Sequence, residues 1–520
     1  MQSVSAAFTA EEKDSVRKVV GDLLVSWKKD NILGNRTFTV GVSTIGGNDF
    51  IGINPGAIGG PGNYRYFDES DYLLGAAWER ALNMPVGGLS MALAEARLEN
   101  TAGRFTPHYM GGNSELFSAI LPRRPMIINA GFDFDGIGQT IPQFSGVFNY
   151  APKIENRSKQ ISLKGADFID FFRNRYIEQT VMYTSETTDT LIEGLFSAMG
   201  MSTAQYDLDP GLNTIPFSMF EKGTRFSDII NDLVQSENGH LYQDEEGKFR
   251  FENRQHWYGT PHDSVAKIIY TAQVLDSQAP DEDHIINVVE IKGKEIVRQA
   301  LQPIMNFSIA TLIEANGTVD IFVDYDNPVL EVVAPTIGGA DSYYIANSSS
   351  DGTGTDVTSS VSVKSMSNFA TTSKIVFQNN SGSDLYLTQL VVSGRMAKTI
   401  SDIYVRNHRG PSVTAYEERV YTYENKHIQD KTWANSLSEL ILNDFANPEN
   451  LQKITIRAMP SLQVGDLISW QGKYWRIFGI SSTLNPSVGF VQELSLLQRP
   501  IQQYFTIGIS TIGGSHQIAA

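Results

Sequence analysis

The segment Asn213–Trp257 constrains the fold more than any other part of this 520-residue chain. Phe226, Ile229, Ile230, Leu233 and Val234 recur at helical spacing, with Asp228, Asn231, Asp232 and Gln235 on the opposite face. Thr224 or Ser227 is placed to cap the start of this helix, and Asn238-Gly239 supplies the left-handed residue that ends it. Leu241–Gln243 and Lys248–Glu252 then flank the turn Asp244-Glu245-Glu246-Gly247. Phe249 and Phe251 alternate with charged residues in the period of a half-buried strand. A helix and a hairpin that each carry one apolar face must close on a larger body, and neither holds a catalytic constellation.

That larger body is available, because 520 residues suffice for about three to four domains. The formal charge is 41 − 58 = −17, which argues against gripping nucleic acid through its phosphates. Without cysteine there is no disulfide framework, thiolate nucleophile or cysteine metal site, which fits assembly in a reducing cytoplasm. Met1–Asp14 has neither the positive leader nor the apolar core of a signal peptide, and no apolar run approaches membrane-spanning length. The expectation is a soluble, unsecreted polypeptide with no stable membrane anchor.

At the N-terminus, Thr9 and Glu12 have capping-box spacing, and Val16, Val19, Val20, Leu23, Leu24 and Trp27 fit a helical stripe. Residues 1–36 therefore read as an amphipathic helical arm, docked on its own domain or reaching a neighbouring subunit. FTVGVSTIGG at Phe38–Gly47 returns as FTIGISTIGG at Phe505–Gly514, once at each end, so the chain is no solenoid. The alternation running into Gly-Gly suits an edge strand, either local or docking into a partner by sheet augmentation. Phe38, Val40, Val42 and Ile45, with Phe505, Ile507, Ile509 and Ile512, are the candidate docking residues.

Strands are expected around Tyr72–Leu82, Ala92–Glu99, Arg124–Phe132 and Phe144–Tyr150. Three phrases lie here in order: ALAEARLENTAGRFTPHY (Ala92–Tyr109), LPRRPMIINAGF (Leu121–Phe132) and IPQFSGVF (Ile141–Phe148). Together with the helix and hairpin of Asn213–Trp257, they resemble the tail hub, or tail-tip minor tail protein, of long-tailed bacteriophages and prophages. Ser162–Tyr176 reads as the start of a helical linker, and Asp189–Ala198 as a short helix.

From Val265 strands resume, including the alternating run VVEIKGKEIV. Residues 306–407, rich in Ser, Thr, Gly and Asn, suit a β-sandwich inserted in a loop. Trp433, Leu437, Leu440, Ile441 and Phe445 form a helix stripe that stops at Asn447-Pro448. Leu462–Ile480 then makes a hairpin turning at Gln471-Gly472. The helix, the Asn-Pro stop and the hairpin resemble the closing unit of the same family. The resemblance covers most of Tyr72–Ala300 and Pro411–Pro500, and not the N-terminal arm or the insertion.

No enzyme is expected. The eight histidines show no His-x3-His or His-Glu-x2-His spacing, and Gly-rich stretches such as Ile58–Gly62 lack the Lys-Ser/Thr of a phosphate loop. Asp281-Glu282-Asp283-His284 and Asp324-Tyr325-Asp326-Asn327 read as turns and Arg123-Arg124 as a solvated or subunit-facing pair, so no catalytic, cofactor or metal residue is assigned.

The expected fold is mainly β with α+β parts. It comprises a first tube-like antiparallel barrel (37–160), a helix-plus-hairpin linking domain (161–264), a second barrel (265–305 with 411–500), the inserted β-sandwich (306–410) and a C-terminal strand (501–520). The resemblance implies a homotrimer in a virion tail tip, assembled in the host cytoplasm. Its partners would be a distal tail protein ring, a tape-measure protein and tip or receptor-binding proteins, with DNA only passing through the lumen. The competing readings are a carbohydrate-binding adhesin that uses the insertion and, less favoured, a cell-wall hydrolase.

Overall fold

In a computed structural model the described residues are 1–14, 17–27, 29–30, 63–64, 66–107, 111–112, 114, 116, 119–134, 136–148, 153–155, 157–258, 262–278, 284–308, 310–487 and 489–498. Both copies of the FT(V/I)G(V/I)STIGG repeat, hence all eight candidate docking residues, lie outside them, as do Asp281–Asp283.

The N-terminal segment differs from the helical expectation. A short helix, α1 (Ala6–Glu11), is capped by the Ser5 side chain, and the stripe that follows is a strand, β1 (Val19–Val25). Gly21 and the β-branched Val19, Val20 and Val25 oppose a helix. In the strand, Leu23, Val25 and Trp27 alternate into the core instead.

Five further strands complete the first β unit: β2 (Leu73–Ala81), β3 (Leu93–Glu99), β4 (Arg124–Phe134), β5 (Ile137–Phe148) and β6 (Gln160–Ala166). Their order is β2-β3-β6-β5-β4-β1, antiparallel throughout. The helical linker expected from Ser162 is therefore a strand at first. Ile161 and Leu163 alternate inward, and a single helical turn follows only at Asp170–Arg173. Leu23, Trp27, Phe105, Phe144, Phe148 and Leu163 fill one core together with the small Ala76, Ala94 and Ala96. At Gly146 a Cβ would sit 2.3 Å from the Ala166 carbonyl oxygen, so only glycine lets β5 meet β6 there.

The linking domain contains helices α2 (Thr188–Ala198) and α3 (Phe226–Ser236), and the hairpin β7 (His240–Gln243) and β8 (Phe249–Glu252). The apolar stripe of α3 is buried against Leu191, Phe196 and Phe249, as its periodicity requires. Asn238, at φ 57°, ends the helix as expected. Its N-cap is Arg225, without a side-chain bond; the Ser227 hydroxyl donates to Asp228 instead.

The second β unit contains β9 (Val265–Ile269) and β10 (Val274–Gln278), and its remaining strands come much later in the chain. Between them lie β11 (Val288–Arg298) and the 24-residue β12 (Leu385–His408). Helix α4 (Lys431–Phe445) precedes β13 (Leu451–Arg457), β14 (Leu467–Trp470), β15 (Lys473–Asn485) and β16 (Gly489–Gln498). The order β10-β13-β16-β15-β14-β9 repeats that of the first unit strand for strand. The one difference in sense is that β9 runs parallel to β14, whereas β1 runs antiparallel to β4.

The two units join edge to edge where β15 pairs with β2, from Gly479 opposite Ala81 to Leu484 opposite Ala76. Closed barrels were expected; the described strands instead form one continuous 14-stranded sheet over two cores. In the first unit β1 comes against β2 without pairing to it, because the seam strand β15 already occupies the edge of β2.

A second correction concerns β11 and α4, both expected in the second β unit. β11 pairs with the end of β12 and with Val420–Glu424, and α4 packs on this sheet through Leu437, Ile441 and Leu442. The start of β12 belongs to the insertion, where two sheets enclose Val323, Tyr344, Phe377, Leu387 and Leu390 as a sandwich. The Gln471-Gly472 turn has positive φ at both residues, 51° and 73°, as a tight hairpin demands.

Leu233 is fully buried between α2 and the hairpin. Leu233→Ala should destabilise the linking domain by about 3 kcal/mol, read by calorimetry as a lowered transition while that of the insertion stays in place.

Candidate functional site

Arg123 and Arg124, read from sequence as a solvated or subunit-facing pair, serve the first unit and its contact with the linking domain. Arg123 lies 4.3 Å over the Phe171 ring and 3.6 Å from Asp170, and Arg124 Nε donates to the Ala119 carbonyl. Among the described residues no His, Asp or Glu group is gathered in a metal-holding cluster, and no helix is long and apolar enough to cross a membrane. The concentration of buried polar groups lies elsewhere, where the β7–β8 hairpin meets both β units.

The turn of that hairpin is built by Asp244, whose carboxylate accepts the N–H groups of Glu246 and Lys248 and the Arg250 guanidinium. The folded turn presents Glu245 inward. Its carboxylate is ion-paired to Arg80 at the end of β2 and accepts the Gln463 amide at 2.5 Å from the second unit. Both charges of the pair are almost completely buried. One carboxylate thus ties three bodies together.

Neighbouring groups repeat the theme. The Gln243 side chain donates to the Ser145 carbonyl of β5 and accepts the Phe168 N–H. Asp167 accepts the N–H of Ala92 at 2.7 Å, and burial pushes its carboxyl up to about 7. On the other side, Tyr242 and Trp257 enter the core of the second unit and both donate to Glu252, at 2.7 and 2.8 Å. Arg476 of β15 donates to the carbonyls of Trp257, Gly465 and His262. Burial works against a charged His256, but the Asp209 carboxylate at 2.7 Å and Glu252 outweigh it and hold the imidazole above its ordinary range.

The N-terminal segment staples the joint from outside. Gln2 donates its backbone N–H to the Ser461 carbonyl, and Glu12, fully buried, accepts the Ser461 N–H and pairs with Lys267 at 2.5 Å. The α4 unit docks on the linking domain through equally specific bonds. The Gln429 amide bridges the Phe217 backbone, Asn425 donates to the Asp232 carbonyl, and Trp433 donates to the Ser236 carbonyl. Within this contact the Ser218 hydroxyl meets His427 Nδ1 at 3.1 Å, and burial pushes the imidazole down to about 3.

The bonds among these groups join one body of the fold to the next. Sequence reading located the Asp244–Gly247 turn without seeing that Glu245 would be buried. The available signal was the run of carboxylates between two strands that each carry apolar residues, Leu241 and Tyr242 on one side and Phe249 and Phe251 on the other.

Removing one partner of a buried pair leaves a charge uncompensated, so Arg80→Met should destabilise by about 3–5 kcal/mol. Adding Glu245→Gln should recover much of that loss, as read in a urea double-mutant cycle. For His427 the folded pKa lies below the ordinary 6.5. Its contribution is complete above pH 6.5 and is lost as pH falls towards 3, by roughly 1.4 kcal/mol per unit. His427→Gln should flatten that acid limb of the denaturation midpoint against pH.

No family model matches the sequence, and no curated protein matches it. Solved structures similar to the chain include the 43 kDa tail protein of prophage MuSo2 from Shewanella oneidensis, at 8% identity and TM-score 0.42 over 84% of this chain and 95% of that one. The tail protein from Neisseria meningitidis MC58 is similar at 10% identity and TM-score 0.44, over 93% and 97%. A chain of the half-lidded Francisella PdpA–VgrG complex is similar at 9% identity and TM-score 0.39, over 95% of this chain and 60% of that one. The structural neighbours are thus phage and prophage tail proteins and a VgrG-containing assembly, all at low identity.

Proposed function

We propose that the chain is the structural hub of a phage tail tip or baseplate and works as a homotrimer. The observation that carries this reading is the repeated strand order, with the two units fused edge to edge in one sheet. Three such chains present six β units around a threefold axis, which is the arithmetic needed to join a sixfold tail tube or distal tail ring to threefold tip components. The buried joint of Arg80, Glu245 and Gln463 supports it, because a symmetry adaptor has to hold its two units at one fixed relation. In this role the hub meets the tape-measure protein inside, closes the channel before infection and opens it for the genome. Three copies carry 3 × (−17) = −51 formal charges, so carboxylates facing the lumen would repel DNA in transit.

A second reading has its own observation. The insertion exposes two aromatic rings, Phe322 (67%) and Phe369 (59%), of the kind that stack on sugars in an adhesin. No catalytic role is proposed for either reading.

Electron microscopy of the protein with its ring partner tests the hub. Two superposable β units per chain around a threefold axis are expected; a peripheral monomer or a fibre-like spike would sink the hub and favour the adhesin. A glycan array with the full chain then addresses the insertion, since a hub alone predicts no binding.

A further inference from the structure

His256 follows β8, and both of its ring nitrogens face carboxylates: Nδ1 lies 2.7 Å from Asp209 and Nε2 lies 3.3 Å from Glu252. A neutral imidazole has a single N–H, so only the imidazolium donates to both. Glu252 needs that positive charge, because it is buried and its other partners, the Tyr242 hydroxyl and the Trp257 indole, are neutral. The His262 ring packs on His256 with centroids 4.1 Å apart, and His262 is itself exposed, so a proton reaches it without unfolding. The other charged groups facing the pair are Arg250 of β8, Arg476 of β15 and the Met1 ammonium, which is paired with Asp466. Trp257, between the two histidines in sequence, enters the core of the second unit. Its ring stacks on His240 at 4.8 Å, and a Cβ on Gly465 would sit 2.8 Å from the indole nitrogen. Arg476 donates to the carbonyls of Trp257 and Gly465 at 2.7 Å and to that of His262 at 2.8 Å. Trp257 is thus a plug that the linking domain inserts into the second β unit, and one guanidinium ties His262 to it.

We propose that the stacked His256–His262 pair is a pH-sensitive latch on this plug: with one positive charge it keeps the linking domain closed on the second β unit, and with two it lets go. Two imidazolium rings at that separation repel each other, and Arg476 adds a third positive charge nearby. The second proton therefore drives the His262 ring outward and loads the bond between its carbonyl and Arg476, the group that also holds Trp257. The direction follows from the two rings taken separately. His256 is held above its ordinary 6.5, so its contribution is fully present below that pH and fades only as pH rises through the raised value. His262 is held below 6.5 by partial desolvation, then by the charges of His256, Met1 and Arg476, which together outweigh Asp209. Its contribution is complete above 6.5 and is lost as pH falls through the lowered value. The latch accordingly opens on the acid side, while His256 keeps its proton. It is a contact within one chain and stands independently of the hub reading.

The chain has no cysteine, so a Gln255→Cys, Lys473→Cys variant of the full chain takes spin labels at two exposed positions, one in the linking domain and one in the second unit. Pulsed electron resonance then reads the distance across the joint. A single distance is expected at neutral pH. On acidification through the histidine range a second, longer distance is expected, its share rising by up to about tenfold for each unit of pH. In the same labelled background His262→Gln, which cannot take the charge, should keep the single distance throughout, and His262→Lys, which carries a charge permanently, should show the longer one already at neutral pH. Circular dichroism and the melting of the insertion should match between all three chains. A distance that ignores pH when both histidines are present overturns the latch, as does a Gln variant that opens with acid or a Lys variant that stays closed at neutral pH; each of these results leaves the hub reading standing.

Discussion

The Glu245 carboxylate is the point on which the architecture depends. A charge so fully removed from water survives only if its partners are already in place, so its burial forces Arg80 and Gln463 to converge from two different β units. The hairpin carrying it is in turn fixed by α3, whose apolar stripe seats β7 and β8. Hydrophobic packing therefore supplies the stability of each body. The polar joint selects the one arrangement of the bodies that leaves no charge unpaired, a division of labour in which small errors of docking are costly.

What the sequence disclosed depended on whether a segment's neighbours were near in the chain. The α3 stripe with its Asn238 stop and the Gln471-Gly472 hairpin are local devices, and each folds as its residues dictate. The N-terminal segment misleads because its spacing serves two periods at once. Val19, Val20, Leu23 and Leu24 line one face of a helix, while Leu23, Val25 and Trp27 line one face of a strand. The open edge of β4, more than a hundred residues away, decides between them. The same holds for VVEIKGKEIV, correctly legible as a strand but with no mark of which sheet would receive it. The polar joint was out of reach for the same reason, since Arg80, Glu245 and Gln463 become neighbours only after three bodies have formed.

The duplicated strand order was equally hidden, because the second unit is interrupted between β10 and β13 by the insertion and the α4 unit. Interruption at that place has a physical logic. The break falls between two adjacent antiparallel strands, where a hairpin turn would otherwise stand, so the chain leaves and re-enters the sheet at neighbouring points. Extra domains hang from such a site at little cost in loop-closure entropy.

The 24-residue strand β12 gives that attachment an unusual mechanical quality. At about 3.3 Å per residue it is a ribbon roughly 80 Å long, rooted at one end in the insertion and at the other in the sheet under α4. Nothing about it resembles a tether. A load applied to the insertion is borne as shear across its ladder with β11, where many hydrogen bonds must yield together, and passes through Trp433 and Asn425 into α3. An outer domain mounted in this way behaves as a stiff lever, converting a tug at the periphery into torque on the body that carries Glu245.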